Sequence, residues 1–173
     1  MILQAVRAES SGSSFIWWPR YSWSSLVKLS PVAPHQAITV ISAKTPMGSA
    51  VRLRDKAIAQ ADLGRAEAIL RSGRAFLFES VEEIWDHVTA GGTPTLRQRA
   101  IVRLAAAKAA EASVQAVDLL FNAAGGTALF EDNPIGRCFR DVHATTQHIG
   151  TNASNYELAG RVLLGLDPGT PRF

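Results

Sequence analysis

From Ala57 onward, apolar positions recur at three- and four-residue steps: Ala66, Ile69, Leu70, Gly73, Leu77, Val81, Ile84, Trp85 and Val88. That period lines them up on one stripe of a helix. The spacing predicts an amphipathic helix of about 30 residues, closed by Gly91-Gly92 because glycine leaves a helix at little steric cost. Thr93-Pro94-Thr95 opens the next helix. Pro94 suits a first helical position, and Thr95 with Gln98 forms a capping box. The buried stripe expected there is Leu96, Ala100, Ile101, Leu104, Ala105, Lys108, Ala112, Gln115 and Leu119. Many of these are small, so a neighbouring helix can approach closely.

The second long helix is expected to stop at Gly125-Gly126. Asn133-Pro134 starts a third, running to about His148. Gly150 interrupts, Asn152 to Leu164 continues as a fourth, and Gly165 and Pro168 end the pattern. A short helix from Gln36 to Ala43 precedes the run AKTPMG at 43–48. No alternating strand pattern occurs. The expected fold is all-α, an antiparallel (up-down) four-helix bundle with short loops, occupying residues 33–173. Residues 1–32 have neither period. Ser10 to Ser14 is low-complexity, and Phe15 to Trp23 holds three tryptophans and a tyrosine around Pro19. This segment is expected to be an irregular N-terminal arm, either covered by a partner surface or foreign to the fold.

Composition narrows the function classes. Hydrophobic residues make up 47% and charged ones 19% of the 173, so a helical protein of this kind buries surface against copies of itself. The net charge is +3, with basic and acidic residues interspersed along the helices rather than clustered. That pattern describes a solvated or interface face and excludes nucleic acid as the expected partner. The single cysteine, Cys138, rules out an intramolecular disulfide and fits a reducing compartment. No apolar run reaches membrane-span length and no signal-peptide pattern opens the chain, so the expected location is cytoplasmic.

Candidate chemistry concentrates between Asn122 and Asn152. His143 and His148 are five apart, about 140° around a continuous helix, so they do not converge on a metal. With no flanking Cys or Glu ligand set, no metal site is expected. Either histidine alone is compatible with a structural role at a helix end. Gly125-Gly126 serves equally as a helix terminus or as a place where a phosphate or another backbone comes close. Arg137, Arg140 and Asp141 read as ion-pairing residues of a helix face. Cys138, between Ile135 and Phe139, reads as packing, and no serine lies in a nucleophile elbow.

These pieces together resemble a known family. AKTPMG at 43–48, the Arg- and Ala-rich helices, AAGGTALF at 123–130, NPIGRCFRDVHATTQHIGTN at 133–152 and ELAGRVLLG at 157–165 resemble the C-terminal helical domain of the acyl-CoA dehydrogenase superfamily. The resemblance covers about three quarters of the chain. In it, Ile149 falls where many dehydrogenases place a catalytic glutamate, and isoleucine cannot take an α-proton. His148, one position before, falls where two-component flavin monooxygenases of the superfamily carry a histidine beside the flavin. The resemblance therefore implies reduced flavin (FMN or FAD) delivered by a separate flavin reductase, reaction with O2, and oxygenation of a small-molecule substrate, with His148 as the catalytic residue. Gly125 and Gly126 align with the superfamily's glycine pair, which approaches the flavin of a neighbouring subunit in a homotetramer. Lys44 falls where many members have an arginine on the flavin diphosphate; lysine keeps the charge and loses the bidentate fork.

The superfamily completes its pocket with an N-terminal helical domain and a central β-domain. Neither is present in these residues, so no appreciable turnover is expected of the chain by itself. Two other readings follow from the same residues. One is an acyl-CoA dehydrogenase-like protein oxidising a CH–CH bond with a base elsewhere. The other is a non-catalytic helical oligomerisation module.

Overall fold

The structure is a computed structural model that describes residues 37–130, 133–171 and 173. The arm expected over residues 1–32 lies outside the described residues. Five helices make up the fold: α1 (37–43), α2 (Ala57–Thr89), α3 (Leu96–Ala124), α4 (Pro134–Thr145) and α5 (Ser154–Leu163). Short 3-10 turns at Leu53–Asp55 and Gly125–Leu129 join them, and no strand occurs among the described residues.

Local chemistry sets the helix ends. After α2, Gly91 takes a positive φ of 86°, while the amides of Gly91 and Gly92 bond back to the carbonyls of Val88 and His87. This is the double closure of a Schellman terminus. Thr95 caps α3 with the full capping box: its hydroxyl accepts from the Gln98 amide, and the Gln98 side chain accepts from the Thr95 amide. Pro94 therefore precedes the cap instead of occupying the first helical position. Asn133 caps α4, accepting from the Ile135 amide at 3.0 Å, and Pro134 fills the first turn as expected. That helix ends at Thr145, short of His148. The hydroxyls of Thr145 and Thr146 bond back to the carbonyls of Asp141 and His143, offering the backbone an alternative to another helical turn.

The centre of the fold is α3. Helix α2 runs antiparallel to it along one side, pairing Leu77 with Ala105 and Ala109 near one end and Ala66 and Leu70 with Ala116 and Leu120 towards the other. On the opposite side, α4 and α5 lie one after the other. Ile135 packs near Leu120 and Ala124, Val142 against Val117, and Ala159 and Val162 against Ala100. Both run antiparallel to α3, so α5 continues the direction of α4. The chain thus forms five helices, with α2, α4 and α5 each packed on α3.

This arrangement explains why α3 is buried on nearly every side. Ala105, Ala106, Ala107, Ala109 and Ala110 are all covered, whereas Leu96 and Gln115 of the expected stripe are exposed. Small residues bring the axes together: a Cβ on Gly73 of α2 would stand 2.8 Å from the Ala112 Cβ. The largest cluster sits where α1 joins the other end, with Ala37, Ile41, Leu70, Leu120 and Ile135 buried together. Full burial of a side chain such as Leu120 contributes roughly 1.5–3 kcal/mol.

Candidate functional site

Lys44 follows α1 directly. Its amide bonds to the Val40 carbonyl and its carbonyl accepts from the Leu53 amide, which fixes its backbone from both sides. The side chain crosses to the end of α3, where the ammonium donates to the Ala124 carbonyl at 2.5 Å. A cation there opposes the negative end of the helix dipole. The next residue, Gly125, has φ 59° and ψ −154°, a region closed to residues with a Cβ. A Cβ at that position would also lie 3.6 Å from the Lys44 ammonium, while one on Gly126 would meet nothing within 4 Å. Three of the expected site residues, Lys44, Gly125 and Gly126, therefore meet at one corner: an ammonium beside bare backbone. That combination fits an anionic group such as a flavin phosphate.

His148 is placed elsewhere. It sits partly buried in the turn between α4 and α5. Its carbonyl accepts from the amides of Thr151 and Asn152, both at 2.9 Å, and the Thr151 hydroxyl bonds to the Thr145 carbonyl at 2.6 Å. The Gly150 amide donates to the ring Nδ1 at 3.1 Å. A backbone N–H can only donate, so Nδ1 must hold its lone pair and the neutral ring carries its proton on Nε2. Among the described residues Nε2 has no hydrogen-bond partner. Ile149 is 58% exposed and offers no proton acceptor.

The two parts are far apart in one chain. The His148 turn lies at the level of Arg103, through Asn155, and the glycine pair at the end of α3. Arg103 and Ala124 are 21 positions apart on α3, and a rise of about 1.5 Å per residue separates them by roughly 32 Å along the helix axis. One chain thus keeps His148 well apart from Lys44, Gly125 and Gly126.

The remaining candidates are structural. His143 donates from Nδ1 to the Phe139 carbonyl at 2.8 Å, stacks on the Phe139 ring with centroids 4.3 Å apart, and points Nε2 towards Asp118 at 3.7 Å. It packs within the chain against α3. Arg137, Arg140 and Asp141 lie on the exposed face of α4. Cys138 is buried; burial first, then the nearby Asp141 charge, pushes its thiol pKa up, which suits packing and not nucleophilic chemistry. Among the described residues no group of three or more His, Cys, Asp or Glu could hold a metal ion, and no helix is long and apolar enough to cross a membrane.

Sequence reasoning missed Asn155 and Arg103. Asn155 is completely buried and binds the His148 turn; Arg103 binds Asn155 at 3.3 Å. The one available signal was a second asparagine three positions after Asn152, a residue type that favours side-chain-to-backbone bonding in turns.

The described residues form a helical domain in which Lys44 meets Gly125 at one end of α3 and His148 sits in the turn between α4 and α5. Residues 33–153 match the family model of the acyl-CoA dehydrogenase C-terminal domain, and the chain belongs to that family. It is 33% identical over 127 residues to an indole-3-acetate monooxygenase of Pseudomonas putida, covering 73% of this chain and 33% of that protein. A pigment production hydroxylase of Rhodococcus erythropolis is 36% identical over 110 residues, covering 63% of this chain and 28% of its own length. Among solved structures, the HsaA monooxygenase of Mycobacterium tuberculosis superposes with a TM-score of 0.71 at 27% identity, covering 84% of this chain and 37% of that one. XiaF of a Streptomyces species, in complex with FADH2 and glycerol, gives a TM-score of 0.80 at 21% identity over 87% of this chain and 38% of its own, and shows the shared fold. The chain spans about a third of the length of these relatives.

Proposed function

We propose that this chain is the C-terminal helical domain of the oxygenase component of a two-component flavin-dependent monooxygenase. The observation that carries the reading is the His148 turn. It presents an imidazole whose Nδ1 accepts from the Gly150 amide, which directs the ring's N–H to Nε2, beside Ile149, which the resemblance sets where many dehydrogenases of the superfamily carry a carboxylate base. A dehydrogenase with its base at this position needs a carboxylate to remove an α-proton, whereas an oxygenase is served by a group that donates a hydrogen bond. The names of the relatives support the same class: monooxygenases and a hydroxylase.

Reduced flavin, FMN or FAD, supplies the electrons for oxygen activation when bound. His148 donates a hydrogen bond from Nε2 to an acceptor on the flavin side of the site. Ile149 keeps the adjacent surface apolar and free of a competing base. Lys44 places a positive charge, and Gly125 and Gly126 an unobstructed backbone, for the phosphate end of a flavin held mainly by a second copy of the chain. The separation of His148 from Lys44 and the glycine pair supports such an assembly, for which a homotetramer is the proposed form. A separate reductase is the expected source of reduced flavin.

The test uses an oxygenase in which this chain replaces the matching segment of the Pseudomonas putida relative. Under anaerobic conditions it should bind reduced flavin more tightly than oxidised flavin. Admission of air with an aromatic substrate should then yield oxygenated product. Reduction of an artificial electron acceptor by acyl-CoA, without oxygen insertion, would establish the dehydrogenase reading instead.

A further inference from the structure

We propose that Asn155 and Arg103 are positioning residues that select the tautomer of His148. The inference rests on the functional reading of His148 above, but its geometry stands by itself. The amide that donates to His148 Nδ1 belongs to Gly150, at 3.1 Å. The carbonyl of the same peptide unit belongs to Ile149, and it accepts from Asn155 Nδ2 at 2.9 Å. A trans peptide is planar, so its C=O and N–H point in opposite directions and turn together. By holding the oxygen of this unit, Asn155 aims the hydrogen at the imidazole. Rotation of the plane would break both bonds at once and free Nδ1 to take the proton.

Asn155 is in turn oriented from α3. Its side-chain amide is fully buried, where an unsatisfied polar group is costly. Nδ2 bonds also to the Asn152 carbonyl at 3.0 Å, while Oδ1 accepts from Arg103 Nη1 at 3.3 Å. A guanidinium has donors only, so Arg103 fixes which end of the Asn155 amide faces the turn. Arg103 itself lies against the Phe173 ring, 4.8 Å from its centroid, and Arg99 holds the Phe173 carbonyl at 3.2 Å. A continuous path of contacts therefore links α3 and the end of the chain to the ring that faces the site.

Long-range proton–nitrogen correlation on the 15N-labelled full chain, without flavin, reads the tautomer of His148 directly. The wild-type chain should show predominantly the Nε2–H form. Asn155→Asp replaces the Nδ2 donors with an acceptor while keeping the shape; it should give a mixture of tautomers and speed Gly150 amide exchange about tenfold, the equivalent of one lost hydrogen bond. Arg103→Leu should do the same in part, and Arg103→Lys should restore the wild-type pattern. A merely structural role would lower the melting temperature without changing the tautomer ratio. If Asn155→Asp fails to fold, the Arg103 pair decides. An unchanged tautomer in Arg103→Leu, or in both variants, overturns the proposal. Because no flavin enters this measurement, its failure is distinct from a failure of His148 in catalysis.

Discussion

Lys44 donates to the carbonyl of Ala124 across 80 positions of sequence, and this one bond ties the entry of the fold to the end of its central helix. The contact does two things. It satisfies a carbonyl that the helix leaves unpaired, and it holds a positive charge against bare glycine backbone.

Replacing Lys44 with Met keeps the stem and removes the charge. The expected cost is about 1–2 kcal/mol, read as a lower urea midpoint with an unchanged slope. Lys44→Arg should recover most of that loss. A Met variant as stable as wild type would show that the contact contributes nothing to the fold.

Two glycines are held by proximity. A Cβ at Gly73 would stand 2.8 Å from the Ala112 Cβ, and one at Gly136 would stand 2.6 Å from the Ala128 carbonyl oxygen. Gly73→Ala gains up to about 1 kcal/mol of helix propensity, yet the rigid neighbour leaves a net loss of about 1–2 kcal/mol. Ala112→Gly in the same chain should return part of it. Gly136→Ala meets backbone and should cost more, about 2–3 kcal/mol. Thermal and urea unfolding of the two single variants and the double variant measures each value.

The link between α3 and α5 sets a pH window. The Tyr156 hydroxyl donates to Glu111 at 2.6 Å, with Lys108 and Gln115 also on that carboxylate. The Tyr156 hydrogen bond, then those of Lys108 and Gln115, outweigh desolvation and lower the Glu111 pKa. Its stabilising share is present above the ordinary carboxylate pKa and is lost as pH falls through the lowered folded value. Burial, then the Glu111 hydrogen bond, raises the Tyr156 pKa. Its share is present below the ordinary tyrosine pKa and is lost as pH rises through the raised one. Stability should therefore be flat in this term between about pH 5 and pH 9 and fall outside it. Tyr156→Phe should flatten both shoulders. Urea midpoints across pH for the two chains provide the comparison.

What could be read from sequence was what local chemistry determines. The Thr95–Gln98 box, the Asn133 cap and the Gly91-Gly92 terminus need only their near neighbours, and all three formed where expected. The alanine run of α3 was read as one stripe because periodicity assigns a face only when one face is buried; between α2 on one side and α4 and α5 on the other, the helix has two. The turn at His148 escaped for a related reason. Its end at Thr145 depends on threonine hydroxyls competing for carbonyls, and its shape depends on Asn155, whose partner Arg103 lies 52 positions away. The meeting of Lys44 with Gly125 likewise depends on a long-range contact; their resemblance to family positions named them, and only the fold set them side by side.

The central claim is that the Nε2 proton of His148 serves oxygen chemistry. The direct test is product formed per reduced flavin consumed, measured with a reductase in the substituted oxygenase, for wild type and His148→Ala. Loss of a positioned hydrogen-bond donor should lower product yield about 100-fold, with reduced flavin still bound and the oxygen appearing as hydrogen peroxide. A His148→Ala protein that oxygenates substrate as efficiently as wild type would contradict the assignment.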